Sequence, residues 1–258
     1  MAGYEWIAVA YLSGLTLAAW VAPIGTIRRL KASAVAIAVL VLIVVVVLTA
    51  PPTVRAWAPH LYLIAGYWLP ALLVAAEPQP AWRFEEWLAA TDNRIRQFLP
   101  QLPEPLVQVV ELAYLFCYPL VPLSFAVVWT MGDEVDVARF WQAVLLAGYS
   151  CYATLPWLVS RPPRLRGTPE RSAMLARLNE QVLRRVSHQL NTFPSGHVAV
   201  AAAAAATVAV VSAPAGLVIG TIVAAISVGA AAGGYHYALD VLLGLAIAAA
   251  AVVVAGVI

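Results

Sequence analysis

The sequence predicts an all-α fold: a polytopic membrane helix bundle with about eight transmembrane helices and one interfacial amphipathic helix. Two observations support this fold class. Hydrophobic residues make up 63% of the 258 residues and charged residues only 11%, whereas soluble domains contain about 25% charged residues. The apolar residues also occur in long segments, and about 20 of them in a helix cross the hydrocarbon core of a bilayer. We therefore expect lipid to solvate much of the surface.

Eight segments are long and apolar enough to be candidate membrane helices, some of them marginally. They cover residues 4–22, 33–50, 59–76, 106–130, 139–160, 197–213, 216–232 and 238–258. The second segment is the clearest, because it combines the apolar run Leu40 to Leu48 with the absence of charged residues. Pro214 and Gly216 favour a tight hairpin between the sixth and seventh segments over one long helix.

Two stretches do not fit a spanning helix. Residues 80–100 alternate aromatic and aliphatic side chains with charges at helical spacing. This pattern fits a helix in the membrane interface, or equally an amphipathic connecting helix packed on the protein. Residues 161–195 form the only long polar segment of the sequence. Its seven basic residues are Arg161, Arg164, Arg166, Arg171, Arg177, Arg184 and Arg185.

The distribution of basic residues predicts the orientation in the membrane. In an eight-helix topology, all of the fifteen Lys and Arg residues except Arg55 and Arg139 fall in the odd-numbered loops. Cytoplasmic loops carry an excess of Lys and Arg. We therefore expect the odd loops in the cytoplasm, both termini outside, and a multi-pass location in the plasma membrane, of the bacterial inner-membrane type.

The most informative string is Asn-Thr-Phe-Pro-Ser-Gly-His at residues 191–197, directly before an apolar run. Ser195 is a preferred capping residue, so a helix is expected to begin here. A helix N-terminus presents N–H groups and the positive end of the helix dipole, which suits an anion. Gly196 lets the backbone approach that anion, and His197 is expected in the first helical turn.

A second string, Gly-Gly-Tyr-His-Tyr-Ala-Leu-Asp, covers residues 233–240. His236 and Asp240 are four residues apart, and a helix places them on one face. A carboxylate there can hold one imidazole nitrogen and leave the other as base or nucleophile. An Asp at the start of a membrane helix is costly unless paired, which makes it a functional candidate. A structural polar pair between helices is the alternative.

The third string, Ser-Arg-Pro-Pro-Arg-Leu-Arg at residues 160–166, follows the fifth segment. Prolines keep the chain extended, and arginine is the preferred side chain for a bidentate grip on phosphate. The three strings fall on one face of the eight-helix topology, and together they indicate a phosphoryl-transfer site. The alternatives are a topology signal or anionic-lipid patch for the arginines, and a metal site for the histidines, although no metal-binding spacing supports it.

Arg161-Pro162, Pro194-Ser195-Gly196-His197, and His236 with Asp240 resemble, in this order, the three-part signature of the type-2 phosphatidic acid phosphatases, a superfamily shared with vanadium haloperoxidases. The resemblance covers about residues 140–258. It divides the chain into N-terminal transmembrane helices with the interfacial helix, residues 1–105, and a phosphatase-like membrane core with the three motifs, residues 106–258.

The resemblance implies a role for each motif residue. His236 would be the nucleophile that forms a phosphohistidine, Asp240 would orient it, and His197 would protonate the leaving alcohol. The substrate-binding residues would be Arg161, Arg164, Ser195 and Gly196. No metal or other cofactor is implied. The expected partners are membrane lipids and a lipid phosphate substrate that is reached from the bilayer, and nucleic acid is not expected.

The chain departs from the family pattern at two motifs. The first motif usually begins with Lys, where this chain has Thr154, and the third usually has Ser-Arg, where it has Gly229 and Ala230. The candidate replacements are Arg164, Arg166, Arg184 and Arg185. Without a replacement, the transition-state charge would be under-stabilised. Two alternatives to a phosphatase therefore stay open: a headgroup phosphotransferase with an alcohol acceptor, and a non-catalytic lipid-binding or carrier relative.

Four further residues carry simpler expectations. Cys117 and Cys151 lie in apolar segments and are expected to be packing residues. His188 is expected to be a solvated loop residue. Glu111 lies in an apolar segment, where a hydrogen bond to another helix is expected, with a substrate channel as the alternative.

Overall fold

The computed structural model describes residues 1–74, 79–97, 103–166 and 174–258. The described α-helices are α1 Gly3–Val21, α2 Thr26–Thr49, α3 Pro52–Trp57, α4 Pro59–Leu72, α5 Gln79–Arg96, α6 Glu104–Leu115, α7 Cys117–Met131, α8 Glu134–Tyr152, α9 Met174–Val186, α10 Gly196–Val211, α11 Ala213–Ala232 and α12 Ala238–Val254. A 3-10 helix covers Pro163–Arg166. Arg171, residues 75–76 of the third predicted segment and residues 98–100 of the amphipathic stretch lie outside the described residues.

The all-α prediction is confirmed, because these parts of the chain contain helices and one isolated β-bridge but no strand. Each of the other seven predicted segments corresponds to one helix of the structure, but the fourth does not. It forms α6 and α7, which are bent by 60° around Phe116. Pro119 explains the break, because it has no N–H to donate to the carbonyl of Leu115 and its ring crowds that carbonyl.

The expected eight membrane spans are not confirmed. Among the described residues, α1, α2 and α11 are long and apolar enough to cross a membrane, and the bent pair α6–α7 makes up to four such spans. The helices α4, α10 and α12 contain 14, 16 and 17 residues, fewer than the roughly 20 that span the hydrocarbon core. α8 is longer but carries Glu134, Asp136 and Arg139.

Helix α10 lies at the centre of the bundle and packs against α7, α8, α11 and α12. Its alanines make this possible, because small side chains let helix backbones approach closely. Ala199, Ala203 and Ala204 are fully buried. At the crossing with α11, a Cβ on Gly216 would lie 2.3 Å from the Cα of Ala209. The core therefore fixes the position of the helix that begins with the second motif.

The amphipathic helix α5 packs on the protein and contacts α12. Its buried face carries Glu85, Leu88 and Asp92, while Trp87 on another face is 51% exposed. Two carboxylates on a buried face need partners, and both have them in the motif loops. Cys117 and Cys151 are buried free thiols, as expected for packing residues.

Candidate active site

Asn191 brings the three motif strings together. Its main-chain N–H donates to the carbonyl of Ser160 at 2.8 Å, in the isolated bridge between these residues. Its side-chain amide donates to Ser160 Oγ at 3.1 Å and to Asp240 Oδ2 at 2.9 Å. Asn191 and Asp240 are about 1% and 0% exposed, so these bonds lie in a medium where they are strong. The predicted meeting of the three strings is thus present in the structure.

His236, His197 and Asp240 form a chain of side chains. The Nδ1 atom of His236 lies 3.5 Å from Asp240 Oδ2, and its Nε2 lies 3.4 Å from Nδ1 of His197. Both distances exceed the usual hydrogen-bond length, but catalytic hydrogen bonds commonly tighten only in the reacting complex. With the carboxylate at Nδ1, the Nε2 atom of His236 is the nitrogen left for chemistry.

The local sequence explains why α12 presents Asp240 in this way. Oδ2 of Asp240 accepts from the N–H of Tyr237 at 3.0 Å at the start of the helix. The next amide, that of Ala238, donates to Asp92 of α5 at 2.7 Å. The main-chain carbonyl of Asp240 accepts from the N–H of Ser195 at 3.0 Å. Carboxylates at a helix N-terminus are stabilised by its N–H groups and dipole.

Ser195 caps α10 as predicted, because its Oγ accepts from the N–H of Val198. The N–H of Gly196 lies 3.3 Å from the hydroxyl of Thr192. Both Ser195 and Gly196 are buried. A Cβ on Gly196 would lie 2.2 Å from the ring of Tyr152, so the close approach that requires glycine here is to an aromatic ring.

The arginines of the first motif point in two directions. Glu85 of α5 accepts from the main-chain N–H of Arg161 at 2.8 Å and from its guanidinium at 2.9 Å. Arg166 lies 3.4 Å from the same carboxylate and donates to the main-chain carbonyl of Glu85 at 2.9 Å. The hydrogen bond to Glu85 raises the pKa of Arg161 above its ordinary value. Glu85 thus balances charge at the edge of the site.

Arg164 instead lines a cleft together with His197 and His236. The cleft has an empty volume of about 310 Å³, part of it open to solvent. Its wall is formed by Tyr67, Tyr114, Pro162, Arg164, Leu183, Ser187, Gln189, Leu190, Thr192, His197, Tyr235 and His236. The guanidinium of Arg164 donates to Gln189 and lies 5.2 Å above the centre of the Tyr235 ring. A cation and two imidazoles in one cleft suit a phosphate group.

The two departures from the family pattern have structural roles. The Thr154 hydroxyl lies 2.7 Å from the carbonyl of Cys151 and 2.5 Å from that of Phe193, so it braces the loop of the second motif. Ala230 is fully buried, and its carbonyl accepts from the N–H of His236 at 2.9 Å. Gly229 lies against the carbonyl of Val110, which a Cβ would approach to 2.5 Å.

His188 is not the solvated residue that the sequence suggested. Its ring stacks on Tyr67 with the centroids 4.4 Å apart, and its Nε2 atom is buried. Nδ1 accepts from the N–H of Leu190 at 3.2 Å. Burial lowers the pKa of His188 to about 4, so the ring is neutral near pH 7. The expectation failed because a polar loop sequence does not reveal which of its side chains packs against an aromatic ring.

The expected interhelical hydrogen bond of Glu111 is present. Its carboxylate accepts from the hydroxyl of Tyr235 at 2.5 Å and from the amide of Asn179 at 2.6 Å. This buried group links α6 and α9 to the loop of the third motif. Tyr235 in turn stacks on Tyr114 with the ring centroids 4.0 Å apart. Glu111 therefore fixes one wall of the cleft.

Sequence reasoning missed several residues that build the site. The spacing of Glu85, Leu88 and Asp92 follows one helix face, and charges on a buried face could have indicated α5 as part of the site. Asn191 opens the second string but carries no signal of its contact with Asp240. Gln189 gave no signal at all. Among the described residues, no group of three or more His, Cys, Asp and Glu side chains could hold a metal ion.

Together, the apolar helices and the cleft of two histidines and an arginine, with Asp240 beside His236, define a helical membrane-type protein with a candidate phosphoryl-transfer site. The chain belongs to the PAP2 superfamily, whose family model matches residues 79–254. The match begins at the first residue of α5 and ends at the last residue of α12. It confirms the resemblance to type-2 phosphatidic acid phosphatases and supports a phosphatase-type function. Comparison with curated proteins gave no match, and comparison with solved structures gave none.

Proposed function

We propose that this protein is a membrane lipid-phosphate phosphatase that cleaves a phosphomonoester or diphosphate of a lipid through a phosphohistidine intermediate. The observation that carries this proposal is the contact of His236 Nε2 with His197 Nδ1 at 3.4 Å in one cleft, with Asp240 behind His236. A nucleophile between an acid–base group and an orienting carboxylate fits covalent phosphoryl transfer.

The reaction balances in two steps. In the first, the lone pair of His236 Nε2 attacks phosphorus and the bond from phosphorus to the leaving oxygen breaks, which is the lipid alcohol oxygen of a phosphomonoester or the bridging oxygen of a diphosphate. Protonated His197 gives its proton to that oxygen. In the second, water attacks the phosphohistidine, His197 takes a proton from the water, and the phosphorus–nitrogen bond breaks. Inorganic phosphate leaves, and both histidines return to their starting states. Asp240 stabilises the charge that develops on His236 in the first step.

The phosphate is held in the cleft by charge-assisted hydrogen bonds. Arg164 is an arginine of the cleft wall, and Arg161, which is bound to Glu85, directly precedes Pro162 of that wall. Ser195 and Gly196 contribute at the N-terminus of α10. The N–H of Gly196 has a long bond of 3.3 Å to Thr192, and a phosphate oxygen is a stronger acceptor than this hydroxyl.

A lipid substrate is supported by the position of the histidines. His197 follows the first residue of α10 and His236 precedes α12 by two residues, and both helices are apolar. A phosphate bound there lies at the ends of two apolar helices. An acyl or polyprenyl chain can then stay in the bilayer while its headgroup enters the cleft.

Phosphate release from a panel of lipid phosphates tests the proposal, with detergent-purified wild type beside His236→Ala and His197→Ala. Release by the wild type that both substitutions abolish, with and without chelator, is the expected result. Transfer to an added alcohol without release to water would instead support a phosphotransferase. Binding of a lipid phosphate with neither release nor transfer would support a carrier.

The site is proposed to face the cytoplasm of the plasma membrane, on the basis of the basic loops. Gln181, which is exposed on α9, can be replaced by cysteine in cells, since Cys117 and Cys151 are buried. Labelling of Gln181→Cys by a membrane-impermeant maleimide only after permeabilisation is expected. Labelling of intact cells would place the site on the outer face.

A further inference from the structure

We propose that Gln189 is a positioning residue for phosphate binding: it fixes Arg164 in the wall of the cleft, where Arg164 supplies the positive charge that the third motif lacks at Ala230. This inference deepens the proposed function and rests on it for the chemistry. The anion site that it describes can be tested without turnover.

Gln189 has an unusual backbone. Its φ of 61° is the only positive φ of a non-glycine residue in the described ranges. The left-handed region is unfavourable for L-residues, and glutamine lacks the short polar side chain that lets asparagine or aspartate adopt it. Such conformations persist where the surroundings impose them, and they cluster at functional sites. The strain therefore calls for a reason in the contacts of this residue.

The contacts of Gln189 direct its side-chain oxygen at Arg164. The main-chain N–H donates to Ser187 Oγ at 3.1 Å, and the side-chain NH₂ donates to the carbonyl of Leu183 at 2.6 Å. A carbonyl only accepts, so this contact fixes which amide atom is nitrogen. The remaining atom, Oε1, accepts from the guanidinium of Arg164 at 3.1 Å. The contacts with Leu183 and with Arg164 therefore require the same orientation of the Gln189 amide.

Arg164 is held on two further sides. Its main-chain N–H donates to the carbonyl of Gly234 at 3.0 Å, and its guanidinium lies over the ring of Tyr235. Tyr235 is itself fixed by its stacking on Tyr114 and its bond to Glu111. A guanidinium that is held in this way loses little conformational freedom when phosphate binds. It is therefore better prepared to stabilise phosphate than a mobile surface arginine.

Among the four candidate replacements for the arginine absent at Ala230, the geometry favours Arg164. Arg166 is bound to Glu85, and Arg184 is paired with Glu180 with 71% of its side chain exposed. Arg185 is exposed on the same helix, α9. Arg164 shares the cleft with His197 and His236. Arg164 contacts Gly234 and Tyr235 of the third-motif loop. It therefore brings a cation to the motif that has alanine in place of arginine.

The test is the binding of orthovanadate, a phosphate mimic, to purified full-length protein by isothermal titration calorimetry. The loss of a charge-assisted hydrogen bond predicts about 30-fold weaker binding for Arg164→Ala. Loss of the hydrogen bond that positions the arginine predicts a decrease of about 5-fold for Gln189→Gly and for Gln189→Ala. The double variant Arg164→Ala/Gln189→Gly is expected to bind no more weakly than Arg164→Ala alone, because Gln189 acts through Arg164.

Gln189→Gly separates the side chain from the backbone, because glycine adopts a φ of +61° without strain. The variant should fold as well as the wild type and still lose affinity. The exposed Gln181→Ala on α9 is the matched control and should bind vanadate normally. Equal affinity of Gln189→Gly and wild type would overturn the proposal, as would additive losses in the double variant or no vanadate binding by the wild type.

The outcomes keep this inference apart from the proposed function. Vanadate binding with the predicted pattern, but no phosphate release from any lipid, would retain the anion site and overturn the phosphatase. Phosphate release by the wild type that is unchanged in Gln189→Gly would retain the phosphatase and overturn the role of Gln189.

Discussion

Glu5 and Glu85 are both buried carboxylates that bind arginines from distant parts of the chain, but the regions around them differ. Glu5 binds one arginine, Arg55, with both oxygens at 2.7 and 2.8 Å, and accepts from the N–H of Ala2 at 2.6 Å. Glu85 binds both Arg161 and Arg166. The first group joins α1 to α3, whereas the second joins α5 to the first motif.

The histidines in the two regions differ in the same way. His60, which follows Arg55 by five residues, donates from Nδ1 to the carbonyl of Trp57 at 2.8 Å and is enclosed by Trp57, Phe125 and Trp141. His236 has a carboxylate on one nitrogen and a second histidine on the other. The same residue types thus give packing in one region and a potential site in the other. What distinguishes them is whether the arrangement leaves a reactive nitrogen in a cleft.

The largest expected difference is between His236→Ala and His60→Ala. Loss of the nucleophile should reduce phosphate release at least about 10³-fold. His60→Ala should lower the melting temperature, because it removes a packed ring, and leave the turnover of the folded protein within about 3-fold of wild type. Both variants are checked by initial rates of phosphate release and by thermal unfolding. The rates are divided by the amount of folded protein, which size-exclusion chromatography measures. An equal loss in the two variants would remove the distinction between the regions.

Asp240→Asn tests the orienting carboxylate. The amide keeps the size of the side chain but can donate to His236 and favour the wrong tautomer, so phosphate release should fall by about 10²-fold or more. It also leaves the amide of Asn191 with a poorer acceptor, which should cost about 1–3 kcal/mol of stability. Initial rates and thermal unfolding in the same detergent separate the two effects. Unchanged turnover would mean that Asp240 only supports the helix.

Glu85→Gln and Glu5→Gln compare the two carboxylates directly. Each leaves arginine charge less compensated, and each should cost about 1–3 kcal/mol of stability, discounted for the exposure of the arginines. Glu85→Gln should also change KM by about 3-fold or more, because Arg161 directly precedes Pro162 of the cleft wall. Glu5→Gln should leave both kcat and KM unchanged. If kcat and KM changed equally in Glu85→Gln and Glu5→Gln, the assignment of Glu85 to the site would be contradicted.

The smallest expected effect concerns pH. Burial lowers the pKa of His188 to about 4, below the ordinary value of about 6.5. The unfolded chain therefore binds a proton that the folded chain excludes, and stability should fall as the pH decreases from about 6.5 towards 4. His188→Asn keeps an acceptor for the N–H of Leu190 and cannot titrate. Melting temperatures from pH 7 to 4 should decline less steeply in this variant than in the wild type.

Local signals in the sequence predicted the helices and the three motifs. Hydropathy located each apolar helix, and Pro194 and Ser195 indicated how α10 begins. The expectation that a helix places His236 and Asp240 on one face was wrong, because His236 lies in the loop two residues before α12. The break at Phe116 was not predicted, although Pro119 provides its cause. Helix length was also overestimated at α4, α10 and α12, because apolar loop residues extend a hydropathy segment without being helical.

The partners of the motif residues could not be predicted, because they come from distant parts of the chain. Arg161 was assigned to phosphate, but its contact with Glu85 depends on how α5 folds back over the motif loops. The selection of Arg164 for the cleft depends on Gln189 and Tyr235. Such contacts follow from tertiary packing, and a single sequence contains no direct record of them. The roles of the motif residues themselves stay predictions until activity is measured.

The most direct test of the central claim is transfer of label from a ³²P-labelled lipid phosphate to the purified protein, quenched in alkali. A phosphohistidine account predicts an alkali-stable, acid-labile label on wild type and none on His236→Ala. Phosphate release by the wild type with equal labelling of His236→Ala would contradict it, because the nucleophile would then be another group.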